Sequence, residues 1–96
     1  MGAEQFTQGG QGATAQEAFR EAKESACYDH GHNGYSGSLA EKDCFVEIAL
    51  PEGKGANDYA WELMENNDER VDDKWGPAGC LKVAEGKYLF FGWASS

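Results

Sequence analysis

Residues 29–42, Asp-His-Gly-His-Asn-Gly-Tyr-Ser-Gly-Ser-Leu-Ala-Glu-Lys, hold both histidines of the chain, His30 and His32. The same stretch adds Asn33, Tyr35, Ser36, Ser38, Glu41 and Lys42, with glycines at 31, 34 and 37. Glycine lets backbone N–H groups come close to a ligand, and consecutive N–H donors form anion-binding nests. Imidazole, phenol, hydroxyl and ammonium groups beside such a nest suit a phosphate or a ribose. Three chemistries compete here. His30 and His32 with Asp29 offer an i, i+2 set of metal ligands, but no second histidine pair supports it. A histidine acting as general base, with Tyr35 or Ser36 assisting, would serve a phosphodiesterase or nucleotide hydrolase. Binding without turnover needs only the donors and an aromatic face, and it is the reading that the segment favours. The plain alternative is a turn whose histidines bond the chain's own carbonyls.

Two other segments carry unusual chemistry. Trp75-Gly-Pro-Ala-Gly79 places an indole in a loop, where it would stack a base or plug the core. From Asp58 to Asp73 run Asp58, Glu62, Glu65, Asp68, Glu69, Asp72 and Asp73, against the single base Arg70. Like charges at i, i+4 repel modestly, so helix stability does not account for this band. It is a solvated face, or a surface for a basic groove on another protein. No EF-hand spacing is present. Cys27, Cys44 and Cys80 make no C-x-x-C pair, lie among apolar neighbours and read as small buried hydrophobes with reduced thiols.

The elements that must position these groups follow from periodicity. Thr14 with Glu17 forms a capping box, and Ala15, Ala18, Phe19, Ala22 and Ala26 make one apolar stripe, which predicts a helix over 14–28. Alternation over 43–50 predicts a strand that Pro51 ends. A second helix is expected over 57–66 with Asn57 as its N-cap. Residues 80–84 and 87–93 read as a hairpin turned at Glu85-Gly86. Residues 1–12 are either a flexible leader or a short edge strand near Glu4–Thr7. This order predicts an α+β fold, a small antiparallel sheet of three or four strands with both helices on one face.

Length and charge narrow the classes. The chain has 96 residues, enough for a single domain (1–96), with 17 acids against 8 bases and a net charge of -9. Such a balance disfavours direct binding of nucleic acid, whose affinity rests on cations at phosphates. No stretch approaches the roughly 20 apolar residues of a membrane span. No basic segment followed by an apolar one opens the chain, so a cytoplasmic site of action is expected.

The runs His30–Lys42, Lys74–Gly79 and Leu89–Ser95 resemble small uncharacterised proteins of tailed bacteriophages and prophages, over most of the chain. The resemblance implies a context rather than catalytic residues: short phage factors of this kind counter host defence. Some sequester cyclic-nucleotide or ADP-ribose-derived immune signals at oligomer interfaces, and others are acidic inhibitors of defence effectors. On that basis the chain is expected to bind a phosphorylated nucleotide through His30, His32, Asn33, Tyr35, Ser36, Ser38, Glu41, Lys42 and Trp75. It is expected to do so as a homo-oligomer in the infected cell, with no cofactor and no metal. His30 and His32 would meet phosphate or ribose, Tyr35 and Trp75 would stack the base, and Lys42 would neutralise charge. An anti-CRISPR-like inhibitor and a small hydrolase are the alternatives.

Overall fold

A computed structural model describes residues 3–30, 42, 44–66, 68–72 and 76–95, with backbone alone at 3, 4, 27–30 and 95. Four strands and two helices follow one another as β1 (Ala3–Gln11), α1 (Ala15–His30), β2 (Phe45–Glu47), α2 (Ala56–Glu65), β3 (Ala78–Ala84) and β4 (Lys87–Ser95). The α+β class is as expected, and both helices pack on the sheet.

The hairpin is the centre of the sheet, whose order is β1-β4-β3-β2. Gly86 at φ 74 supplies the left-handed residue that the turn after Ala84 requires. β4 alternates strictly: Tyr88, Phe90 and Ala94 belong to one buried cluster, Leu89, Phe91 and Trp93 to the other. A strand that is apolar on both faces needs cover on both, and neighbours along both edges. β3 provides one neighbour. β1 provides the other, antiparallel and in unbroken register from Ala3 opposite Ser95 to Gln11 opposite Lys87. Residues 3–11 are therefore an edge strand, longer than the short one considered from sequence.

Two features of the expected sheet are corrected. β2 pairs parallel to β3, so the sheet is mixed. The helices lie on opposite faces: α1 covers Phe6, Cys80 and Phe90, while α2 covers Leu81, Leu89 and Phe91. The reason is chirality. β1, β2 and β3 run parallel to one another, and the path from β1 to β2 crosses the sheet one way while the path from β2 to β3 returns. Crossovers between parallel strands are right-handed in nearly all folds, so reversing direction moves the connecting helix to the other face.

α1 begins as its sequence directs. Glu17 N–H donates to Thr14 Oγ1 at 3.2 Å, and the Glu17 carboxylate accepts from Ala13 N–H at 3.1 Å. Ala15, Ala18, Ala22 and Ala26 are all buried, with Phe19 as the one large anchor. The Phe19 ring meets Phe45 at 5.0 Å and Phe90 at 5.4 Å between centroids, joining α1 to both β2 and β4. α2 starts one residue before the expected cap. Gly55 holds the N-cap position with no side-chain hydrogen bond, and Asn57 lies inside the helix.

Alanines and a glycine let α1 sit close on β1. A Cβ at Gly10 would stand 2.5 Å from the Ala18 carbonyl oxygen and 2.9 Å from Ala22 Cβ, whereas one at Gly9 would meet nothing within 4 Å. Gly10→Ala therefore has to lift the helix, and should cost about 1–3 kcal/mol in urea denaturation. Gly9→Ala, its neighbour on the open face, should change stability by less than about 1 kcal/mol.

Candidate functional site

β1, β2 and β3 point their amino ends toward the same end of the sheet, and there two distant stretches of sequence meet. Lys42 precedes β2 and Gly76 precedes β3. The Lys42 ammonium donates to the Gly76 carbonyl at 3.0 Å, and Ala78 N–H donates to the Cys44 carbonyl at 3.0 Å. The end of the 29–42 segment is thus fastened to the residue that follows Trp75. Lys42 is only 1% exposed, and among the described residues it is the buried polar or charged one. Burying an ammonium is costly unless its protons are accepted, and the Gly76 carbonyl is one of its acceptors. Sequence reasoning expected Lys42 to meet a ligand's charge. The side chain is buried and donates to the Gly76 carbonyl, so it links the two segments.

The other expected residues are less directly placed. The backbone of His30 ends α1. His32, Asn33, Tyr35, Ser36, Ser38, Glu41 and Trp75 lie outside the described residues, as does the side chain of His30.

The opposite end of the sheet holds a groove of about 520 Å³, where the strands' carboxyl ends meet α2. Gly9, Gln11, Glu21, Asn57, Val83 and Lys87 are among its lining residues. Clefts at the carboxyl ends of parallel strands, where successive connections leave to opposite faces, are the usual ligand positions of open α/β sheets. This one carries mixed charge. Lys87 and the N-terminal N–H groups of α2 favour an anion, while the Glu21 carboxylate, which accepts from Gln11 N–H at 2.7 Å, opposes it. Lys42, the expected residue whose side chain is described, is not among its lining residues.

The chain matches no family model, no curated protein and no solved structure.

The thiols divide by environment. Cys80 is buried under α1, and burial together with the charge of Glu47 pushes its thiol up to about 12, so it is not a nucleophile near neutral pH. Cys44 is exposed, against the expectation of a buried hydrophobe. Among the described residues no group of three His, Cys, Asp or Glu side chains is placed to hold a metal ion. No described helix is long and apolar enough to cross a membrane.

The acidic band is partly self-neutralised. Arg70 bonds both carboxylate oxygens of Asp68 at 2.9 Å, and its guanidinium holds that carboxyl down to about 2. Lys54 pairs with Glu62 at 2.9 Å. Asp58, Glu65, Glu69 and Asp72 are exposed, and Trp61, one helical turn from Asp58 and from Glu65 on α2, is 38% exposed. Asp73 lies outside the described residues. Sequence reasoning passed over Trp61, although Asn57, Asp58 and Glu65 at helical spacing mark its side of α2 as polar. Trp93 sits at the border of the α2 cluster, with an indole N–H shielded from solvent and unpartnered among the described residues.

Proposed function

We propose that the chain binds a small phosphorylated nucleotide without turning it over, at the end of the sheet where residues 29–42 join the segment around Gly76. In this reading it removes a cyclic-nucleotide or ADP-ribose-type immune signal from an infected bacterial cell. The observation that supports the site is the Lys42–Gly76 hydrogen bond, which ties the segment richest in phosphate- and ribose-binding side chains to the neighbour of Trp75. Lys42 and Gly76, 34 positions apart in sequence, thereby share one end of the fold. His30 and His32 take the phosphate or ribose, and Tyr35 and Trp75 stack the base. Lys42 positions the two segments instead of touching the ligand. The phage context comes from the resemblance of the sequence alone.

Calorimetric titration with a panel of cyclic dinucleotides and ADP-ribose isomers tests this reading. One of them should give saturable heat, His32→Ala should weaken it by about tenfold or more, and the bound molecule should be recovered intact after denaturation. A panel without heat removes the proposal, and recovery of a cleaved product replaces it with a hydrolase.

Trp61 favours a second reading. A large exposed aromatic among carboxylates is the anchor-and-rim pattern of a protein interface, and its charge suits a basic groove on a defence effector. Charge reversal at Asp68, Glu69, Asp72 and Asp73 would then abolish anti-defence activity, while His30→Ala and His32→Ala would leave it intact.

A further inference from the structure

The two edges of the sheet are built differently. β2 pairs over three residues only, carries Glu47 exposed, and is followed by Pro51. Short length, charge and proline are the usual means by which a sheet edge is kept from pairing with another chain. β1 is long, has no proline and carries a single charge near its start. It runs nine residues without a bulge or a proline, and its register with β4 is continuous. Only one ionisable side chain, Glu4, falls between Ala3 and Gln16 in a chain whose net charge is -9.

The hydrogen-bond pattern identifies which backbone groups face outward. Gly12 N–H donates to the Gly86 carbonyl at 3.0 Å, toward β4. Antiparallel residues alternate between pairing inward and pointing outward, so the even residues of β1 serve the ladder with β4. Ala3, Gln5, Thr7, Gly9 and Gln11 point away from it. The fold itself satisfies one of these outward donors, since Gln11 N–H bonds to the Glu21 carboxylate at 2.7 Å.

We infer that the β1 edge is the surface on which a second copy of this chain docks, by antiparallel β1–β1 pairing about a two-fold axis at Thr7. The register follows from the outward groups. Thr7 faces Thr7 of the second copy, and Gln5 faces Gly9 on either side, each pair exchanging two backbone hydrogen bonds. Gly9 leaves room for the facing Gln5 side chain, because nothing lies within 4 Å of where its Cβ would be. No two charges stand opposite each other, since Glu4 falls across from Gly10. A self-complementary edge suits a copy of itself better than a foreign strand, as one pairing satisfies both edges and closes the assembly at two. The two sheets become one of eight strands, with both α1 helices on the same face. Each copy carries a net charge of -9, and the repulsion between two such copies makes association stronger as salt is added. This inference does not rest on the ligand reading.

Sedimentation equilibrium of the ligand-free protein over a range of concentrations tests it. The wild type should shift from monomer to dimer, and more so at higher salt. Thr7→Pro removes an outward donor and spares the ladder to β4, and Thr7→Lys places two ammonium groups across the axis. Each should weaken dimerisation by about tenfold or more. Val83→Lys, at an exposed position on β3, should leave it unchanged. Circular dichroism checks that each variant is folded, and if Thr7→Pro is not, Thr7→Lys decides. A wild type that stays monomeric up to about 1 mM, a dimer that Thr7→Lys leaves intact, or one that dissociates as salt rises overturns the inference. Failure here leaves the ligand titration untouched, because no ligand is present in the measurement.

Discussion

Phe90→Ala is expected to cost about 3–5 kcal/mol, the range for emptying a fully buried aromatic position. Phe90 is inaccessible to solvent and sits in the central strand β4. Its ring meets Phe19 of α1 at 5.4 Å and Phe45 of β2 at 5.7 Å, both edge to face, while Phe19 and Phe45 meet each other at 5.0 Å. Three aromatics from three elements thus close on one another, and the alanines of α1 have too little volume to fill the gap. A domain of this size has only about 5–15 kcal/mol to lose, so the variant should unfold well below the wild type in temperature. With a shift of about 4–8 °C per kcal/mol for domains of 60–100 residues, a drop of at least about 12 °C is expected. Phe90→Leu keeps most of the volume and should lose less than half as much. Differential scanning calorimetry distinguishes the two, and equal losses would show that contact between rings, rather than buried volume, holds the α1 face.

That triad was only partly legible beforehand. Phe19 stood out as the single large residue in an alanine stripe, and residues 87–93 read as the second strand of a hairpin. What the residues did not reveal locally was where β1 belonged. Ala-Glu-Gln-Phe-Thr-Gln-Gly-Gly-Gln has few of the β-branched and aromatic residues that signal a strand, and it is held in place by what β4 needs along its other edge. Without β1 as a full strand, the reversal of direction between the two crossovers is invisible. The placement of the helices on opposite faces goes with it. Local signals fared better where one residue has one physical role. The Thr14–Glu17 cap and the Glu85–Gly86 turn are both where the sequence puts them. Gly55 rather than Asn57 caps α2, because a glycine cap leaves no side-chain signature to read.

Lys42→Met is expected to lower stability by about 1–3 kcal/mol, the cost of leaving a buried acceptor without its donor. The position was invisible to sequence reasoning for a simple cause: lysine is almost never fully buried, so a charged residue closing a polar loop is naturally assigned to the surface. Methionine keeps most of the stem's volume, and the loss then reports the ammonium alone. Lys42→Ala removes the stem as well and should lose about 2–5 kcal/mol, through the cavity left behind. The pair of variants separates packing from hydrogen bonding at one site. If the ammonium fastens the Gly76 segment to the end of residues 29–42, Lys42→Met should also weaken ligand binding when measured at a temperature where the variant is fully folded. The loss should appear mainly in the binding entropy, since the ligand would have to order segments that the wild type already holds together. A variant that is destabilised but binds with unchanged affinity would confine Lys42 to the fold. One that is fully stable would mean that the Gly76 carbonyl finds another donor, and that burial of this ammonium contributes nothing to holding the two segments in place.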